Sequence, residues 1–441
     1  SYTGPKMAVG DVNLDGVEDV FICGTTEQTG GVILSNKTNL FKLNAQQKHN
    51  NQDAVIQDFN GDKFPDLYIA NGNYANAQFT EQNDELWLND GKGNFKQATL
   101  PEDQINSLCV KTLDFDRDGD MDLFVGGHIK PNNFPFSEES FLYQNDGKAH
   151  FSKIPLGDLG LVTDATVMDM DGDKYPEIIV VGEWMDPIIL KNIHGKITQS
   201  LNHSITNLKG WYNTIEKADL DNDGDEDLIL GNLGTNTQIK ASETEPASLI
   251  YNDFDQNGTT DFFMNYYIQG KSYPCYSRDE VAEQMPILKK KFPNYSTFSE
   301  ATMEEFFEAN VLEKANKKEI TNLKTLILEN KKGEFIPHEL PIQAQNAPVY
   351  AILAEDFNHD GKKDLLLMGN NSKFRLRIGK VDANTGLMLL NKGNFNFENL
   401  SPQQSGVYVR GDVRSVKRVG NKILVGVCEG KVQEYELNNN R

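Results

Sequence analysis

Positive charge is scarce in this chain. Its 441 residues carry 43 lysines and arginines against 65 aspartates and glutamates, a formal net charge of −22. A nucleic-acid partner needs a basic footprint, so that class is excluded. Cysteine is scarce too, with four in all: Cys23, Cys109, Cys275 and Cys428. None forms a C-x-x-C pair, so no zinc or thiol-redox centre is expected. Three of them, Cys23, Cys109 and Cys428, lie in apolar runs and read as buried thiols rather than a disulfide framework. No apolar run reaches the roughly 18 residues of a transmembrane helix. No signal peptide is visible, although a start almost inside a strand pattern leaves room for an upstream segment. The motifs H-E-x-x-H, G-x-S-x-G and the P-loop are all missing, and the seven histidines are scattered.

The acidic residues, by contrast, follow a pattern. Asp-x-Asp/Asn-x-Asp/Asn, followed four residues on by Asp or Glu, recurs seven times. The first copies are Asp11-Asn13-Asp15-Asp19, Asp58-Asn60-Asp62-Asp66 and Asp114-Asp116-Asp118-Asp122. Asp169-Asp171-Asp173-Glu177 and Asp219-Asp221-Asp223-Asp227 follow, then Asp253-Asp255-Asn257-Asp261 and Asp356-Asn358-Asp360-Asp364. These positions hold 24 carboxylates, and seven divalent ions would bring the net charge from −22 to −8.

Calcium explains the spacing. It takes six to eight oxygens at about 2.3–2.6 Å, and positions 1, 3 and 5 of a tight loop converge on one point. Glycine at position 6 lets the backbone turn sharply: Gly16, Gly119, Gly224, Gly258 and Gly361. In the second and fourth copies the glycine comes two residues earlier, as Gly61 and Gly172, which predicts a different bend there. The EF-hand is excluded because its bidentate Glu at position 12 is replaced by Ile22, Ile69, Val125, Val180, Leu230, Met264 and Leu367. Short apolar runs such as Asp-Leu-Phe-Val-Gly follow the loops and read as buried strands. Each motif is therefore a strand, an acidic loop and a strand.

A second hairpin follows each motif, with turns such as Asn89-Asp90-Gly91 and Asn145-Asp146-Gly147. Related segments end at Asn36, Asn192, Asn330 and Asn391. Two hairpins make four strands, and a spacing of 47 to 56 residues between motifs is the period of a β-propeller blade. The expected fold is an all-β, seven-bladed propeller forming a single domain over 1–441, with eight blades as the alternative. The motif at Asp253 follows its predecessor by only 34 residues and is expected to lie in an insertion within the fifth blade. A helical insertion is expected over 262–320, with Ser277 capping its first helix. It reads either as a flap packed on the propeller or as a lid or partner surface. The last blade, from Gly406 to Leu437, carries the turn Gly420-Asn421 in place of an acidic loop. Arg410-Gly411-Asp412 spells an adhesion tripeptide, but its Gly-Asp aligns with Gly10-Asp11 and reads as coincidence.

The loops resemble the FG-GAP/VCBS repeats of integrin α-subunit and cartilage-acidic-protein propellers. Over nearly the whole chain the closer resemblance is to VCBS-repeat proteins of Bacteroidota. It is carried by Gly126-Gly127-His128, Val181-Gly182-Glu183-Trp184-Met185, Trp211-Tyr212-Asn213, Gly231-Asn232-Leu233-Gly234-Thr235-Asn236 and Ser277-Arg278-Asp279. The resemblance implies up to seven Ca²⁺ ions held by side chains at positions 1, 3, 5 and 9. It implies backbone carbonyls at position 7: Val17, Phe64, Asp120, Tyr175, Asp225, Thr259 and Lys362. It also implies export, to the extracellular space or as an outer-membrane lipoprotein, and a chain that is one part of a longer protein.

Fold does not fix function. The first expectation is a non-enzymatic surface module that binds protein or glycan, as an accessory part of an outer-membrane uptake complex. Candidate contacts are Glu183, Trp184, Asn232, Asn236, Arg278 and Asp279. Trp184 is either a core aromatic or a sugar platform, and Arg278 and Asp279 either cap a helix or touch a ligand. The alternative is a calcium-dependent carbohydrate-active enzyme such as a polysaccharide lyase. A third reading is a purely architectural spacer.

Overall fold

The computed structural model describes residues 4–35, 40–42, 50–72, 83–92, 94–101, 105–200, 205–374 and 379–437. Asn36 lies outside them. The chain is built almost entirely of antiparallel strands that meander outward. The first three sheets each hold four strands in chain order, beginning at Met7–Gly10, Asn51–Gln57 and Ser107–Leu113. The fourth begins at Leu161–Met168 and the fifth at Gly210–Ala218. These two are hydrogen-bonded together, with Glu183 opposite Trp211 and Met185 opposite Gly210. The sixth sheet begins at Val349–Glu355, and the last, beginning at Val413–Val419, has three strands.

The innermost strands touch in sequence round a ring, and the last of them touches the first. This is the arrangement of a β-propeller. The second strand of each sheet has neighbours on both faces. Asp66–Asn71, Asp122–Gly127, Asp227–Asn232 and Asp364–Gly369 are accordingly buried along their whole length, which is why they read as unbroken apolar runs. Glycine ends two of these strands, at Gly127 and Gly369, because another segment passes close by. A Cβ on Gly369 would lie 1.8 Å from the Pro348 carbonyl oxygen.

Between Asp227–Asn232 and Leu326–Lys331 of the fifth sheet the chain makes a separate unit. Its four-stranded sheet contains Ala247–Asn252, Asp261–Ile268, Lys271–Pro274 and Asn316–Ile320. The range 262–320, expected from sequence as helical, thus begins and ends in strand, and short helices run from Arg278–Gln284 to Ala309–Leu312. Ser277 caps the first, with a reciprocal bond from Glu280. Phe263, Phe306 and Tyr276 form an aromatic core for the unit, continuous with Leu161 and Trp184 of the fourth sheet. The unit therefore packs on the ring.

No disulfide joins the four cysteines. Among the described residues no helix is long and apolar enough to cross a membrane. The alignment of Gly411-Asp412 with Gly10-Asp11 does not hold. Gly10 ends an innermost strand, whereas Asp412 precedes one and is buried, bonded by the Ser372 N–H and hydroxyl.

Candidate metal centres and an axial cavity

All seven acidic loops share one hydrogen-bond lattice. The first aspartate accepts from the backbone N–H of position 6, at 2.8 Å for Asp11 and Gly16 and 3.1 Å for Asp219 and Gly224. The position 5 side chain accepts from the N–H of position 7, as Asp173 does from Tyr175 at 2.8 Å. The position 9 carboxylate accepts from the N–H of position 2, for example Asp122 from Phe115 at 3.1 Å. These bonds wrap the outer side of the loop and leave the remaining oxygens facing inward.

The different bend predicted for the loops at Asp58 and Asp169 is absent. In every copy, positions 4 and 6 both take positive φ. In the first loop these are Leu14 (54°) and Gly16 (85°); in the second they are Gly61 (76°) and Lys63 (75°). The loop needs two left-handed residues, and glycine fills one or the other.

The inward oxygens have the chemistry of a cation site. Carboxylate oxygens of Asp114, Asp116 and Asp122 lie within 4.8 Å of one another, as do those of Asp169, Asp171 and Glu177. Asp219, Asp221 and Asp227 form a third such group, and Asp253, Asp255 and Asp261 a fourth. In the other three loops position 3 is an asparagine: Asn13, Asn60 and Asn358. One oxygen each of Asp114, Asp219 and Glu177 is buried with no hydrogen-bond donor. A buried anionic oxygen without a donor is costly unless a cation meets it, so the donor set fits a hard, oxygen-loving metal ion. In the fifth loop Lys331 brings its ammonium to 3.5 Å from Asp221 and 3.4 Å from Asp223.

Position 9 also ties each sheet together. Asp122 accepts from the Asn145 N–H at 2.9 Å, and Asp364 from the Asn391 N–H at 2.8 Å. Burial pushes the carboxyl of Asp122 up to about 7 and that of Asp227 up to about 6, against these backbone bonds. The asparagine then reaches back to the loop of the preceding sheet. Its amide donates to the position 2 carbonyl: Asn89 to Val12, Asn145 to Phe59, Asn192 to Phe115, and Asn391 to Leu220, at 2.7–2.8 Å. Sequence reading found these asparagines only as turn signals. The inserted loop has no such asparagine, and Gln284 stands 3.5 Å from Asp261 in its place.

Residues 58–125 and 169–230 match the family model of the FG-GAP-like repeat. No curated protein matches the chain in sequence. Among solved structures it is similar to Sqt1 of Saccharomyces cerevisiae, with 9% identity and a TM-score of 0.51, covering 100% of this chain and 84% of that one. BBS1N, solved in complex with ARL6DN, has 10% identity and a TM-score of 0.46, covering 100% and 94%. The Dos1 propeller has 10% identity and a TM-score of 0.42, covering 96% and 76%. At such identity the likeness to Sqt1 concerns the fold alone.

The FG-GAP-like loops lie where the first strand of a sheet turns into the second, at one end of the ring. The six candidate ligand contacts lie away from the ring's acidic loops and do not converge. Glu183 faces an axial cavity of about 220 Å³. Trp184 (φ 59°) turns into the core against Trp211, ring centroids 5.3 Å apart. Asn232 is fully buried and its amide holds the Asn322 and Lys324 carbonyls at 3.1 and 3.2 Å. Asn236 holds the Asn346 carbonyl at 3.0 Å. Arg278 binds the Phe292 and Pro293 carbonyls, and Asp279 accepts from the Tyr295 hydroxyl at 2.8 Å. Arg278 also lines an open groove on the insertion with Tyr266, Tyr273, Tyr295 and Phe298.

Sequence reasoning missed most of the cavity wall: His128, Asn213, Tyr350, Asn371 and Arg414. A signal existed, because His128 and Asn213 sit in two of the stretches that carry the family resemblance. Deeper in the channel, Lys111 pairs with Asp164 at 2.8 Å and stands 3.9 Å from Asp53. Burial would raise Asp164, but Lys111 outweighs it and holds the carboxyl at about 2.

Proposed function

We propose that the chain is a calcium-stabilised, non-catalytic binding module: a seven-bladed propeller, one domain, that presents a ligand face away from its metal loops. The observation that carries this reading is the seven-fold repetition of one loop lattice, with a buried carboxylate oxygen lacking a donor in three of the copies. Seven copies of one acidic loop, several of them tied to the neighbouring sheet, suit a scaffold and not a single reaction centre. Calcium fits the donor set because it accepts many oxygens in flexible geometry, and extracellular modules bind it at about 10⁻⁴–10⁻³ M. That range suits an exported protein at the cell surface or outer membrane, working with a protein or glycan partner or as an accessory subunit of an uptake complex.

The test is incubation of the calcium-loaded chain with a panel of glycans and outer-membrane extracts. Saturable binding without turnover is the expected result. Release of new reducing ends or unsaturated uronides would replace this reading with the lyase or glycosidase alternative. Binding to nothing but neighbouring subunits would leave an architectural spacer.

A further inference from the structure

We propose that the axial cavity, on the face away from the ring's acidic loops, is a binding site for a small hydroxylated carboxylate of the size and chemistry of one uronic acid unit. This rests on the reading of the chain as a binding module and adds its ligand class.

The wall is built from the starts of innermost strands, including Leu108, Thr163, Asn213, Tyr350 and Arg414, together with His128 and Glu183 from the far ends of second strands. Arg414 is only 3% exposed. Its guanidinium is fixed by the Asn370 and Val413 carbonyls at 3.0 and 2.9 Å and stands over the Tyr350 ring at 4.0 Å. Asp412, a buried carboxylate that also accepts from the Ser372 N–H and hydroxyl, lies 3.8 Å from it and balances part of its charge. A buried, permanently charged planar fork is the group that takes a carboxylate. Lys6 adds a second cation to the lining. The carboxyl among the lining residues is Glu183, which burial pushes up to about 7 against a hydrogen bond from the Trp211 side chain, so near neutral pH a protonated fraction can donate to a hydroxyl and the rest accepts from one. Burial drives His128 down to about 3, leaving a neutral imidazole.

Asn213 supplies the independent observation. It is 6% exposed, and its amide nitrogen is buried without any hydrogen-bond partner. A buried donor left unmade is rare in a native fold and marks a place where an acceptor is missing. Leu108 and Ile129 give the same space an apolar patch for a C–H face. At about 220 Å³ the cavity is smaller than the roughly 300–1,000 Å³ of drug-sized sites, which favours one ring over a chain of rings. Behind it the channel continues as a smaller space of about 70 Å³ lined by the Lys111–Asp164 pair with Glu216 and Lys417.

The experiment is titration calorimetry of the full chain in calcium with glucuronate and galacturonate against glucose and galactose. Saturable uronate binding at least about tenfold tighter than the neutral sugar is expected, since a site built around a polar group rejects the analogue lacking it. Asn213→Ala should weaken uronate binding several-fold while leaving the melting temperature unchanged or raised, because it removes an unpartnered amide. Arg414→Gln should abolish the preference for the acid; as Arg414 is buried, Glu183→Gln serves as a second variant, expected to weaken both acid and neutral sugar. Equal binding of acid and neutral sugar, no binding of either, or an unaffected Asn213→Ala variant overturns the inference. A chain still stabilised by calcium but blind to uronates sinks this inference and leaves the module reading standing.

Discussion

The side-chain amide of Asn391 donates to the carbonyl of Leu220, 2.7 Å away and 171 residues earlier in the chain. Leu220 is the second residue of the fifth acidic loop; Asn391 ends the third strand of the next sheet. The same residue takes Asp364 of its own loop through its backbone N–H. One asparagine thus couples two acidic loops on neighbouring sheets, and the pattern repeats at Asn89, Asn145 and Asn192.

Asn391→Ala should therefore destabilise the whole ring. It strands the buried Leu220 carbonyl and loses the bond to Lys363, 3.0 Å away. Leaving a buried group unsatisfied costs about 1–3 kcal/mol. Denaturant unfolding with an unchanged slope and a lower midpoint is expected. A midpoint equal to that of the native chain would show that the hook contributes nothing.

The paired left-handed positions predict opposite effects from simple swaps. Lys63 holds φ 75° where other loops carry glycine, and Gly16 holds φ 85°. A non-glycine residue in that region costs roughly 1–2 kcal/mol. Lys63→Gly should raise the melting temperature, and Gly16→Ala should lower it. Thermal unfolding of the two variants checks both signs, and a fall in both would mean that the lysine side chain, not backbone conformation, dominates at 63.

Stability should also depend on pH through Glu183, in a window set by its burial. An unfolded glutamate titrates near 4.3, whereas burial holds Glu183 at about 7 in the fold. Between those values the folded chain keeps a proton that the unfolded chain has released, so stability falls as pH rises from about 4.3 to 7 and levels off above. Glu183→Gln removes that slope. Its melting temperature relative to the native chain should climb from pH 5 to pH 7; a constant difference would contradict the burial of a protonatable carboxyl.

Much of this architecture was legible because the acidic loops impose a strict spacing. Asp114, Asp116, Asp118 and Asp122 announce a convergent oxygen site, and the apolar run after Asp122 announces a strand covered on both faces. The insertion was harder to read. Residues 262–276 are rich in the aromatic side chains that favour strands, yet they lie beside good capping signals at Ser277 and Glu280, and the helical signal extends over both. The shifted glycines misled because one glycine was counted where the backbone needs two left-handed residues. The axial cavity was nearly invisible. Lys6, Asn213, Tyr350 and Arg414 come from four different sheets or their edges, and only ring closure brings them together. Asn232 and Trp184 lie in motif-like stretches for the same reason that they are buried: tight loop packing constrains them.

The central claim is that metal ions staple this ring, and thermal unfolding in millimolar calcium against excess chelator tests it most directly. A ligand at free concentration c, bound only by the native state, stabilises by RT ln(1 + c/Kd), which at millimolar calcium and an affinity of about 10⁻⁴–10⁻³ M is roughly 0.4–1.4 kcal/mol for each site, summed over the sites. The account predicts a melting temperature many degrees lower in chelator, restored by calcium and restored less by magnesium, which prefers a smaller, stricter octahedron. A melting temperature unchanged by chelator would contradict it, and the acidic loops would then be held by their own hydrogen bonds alone.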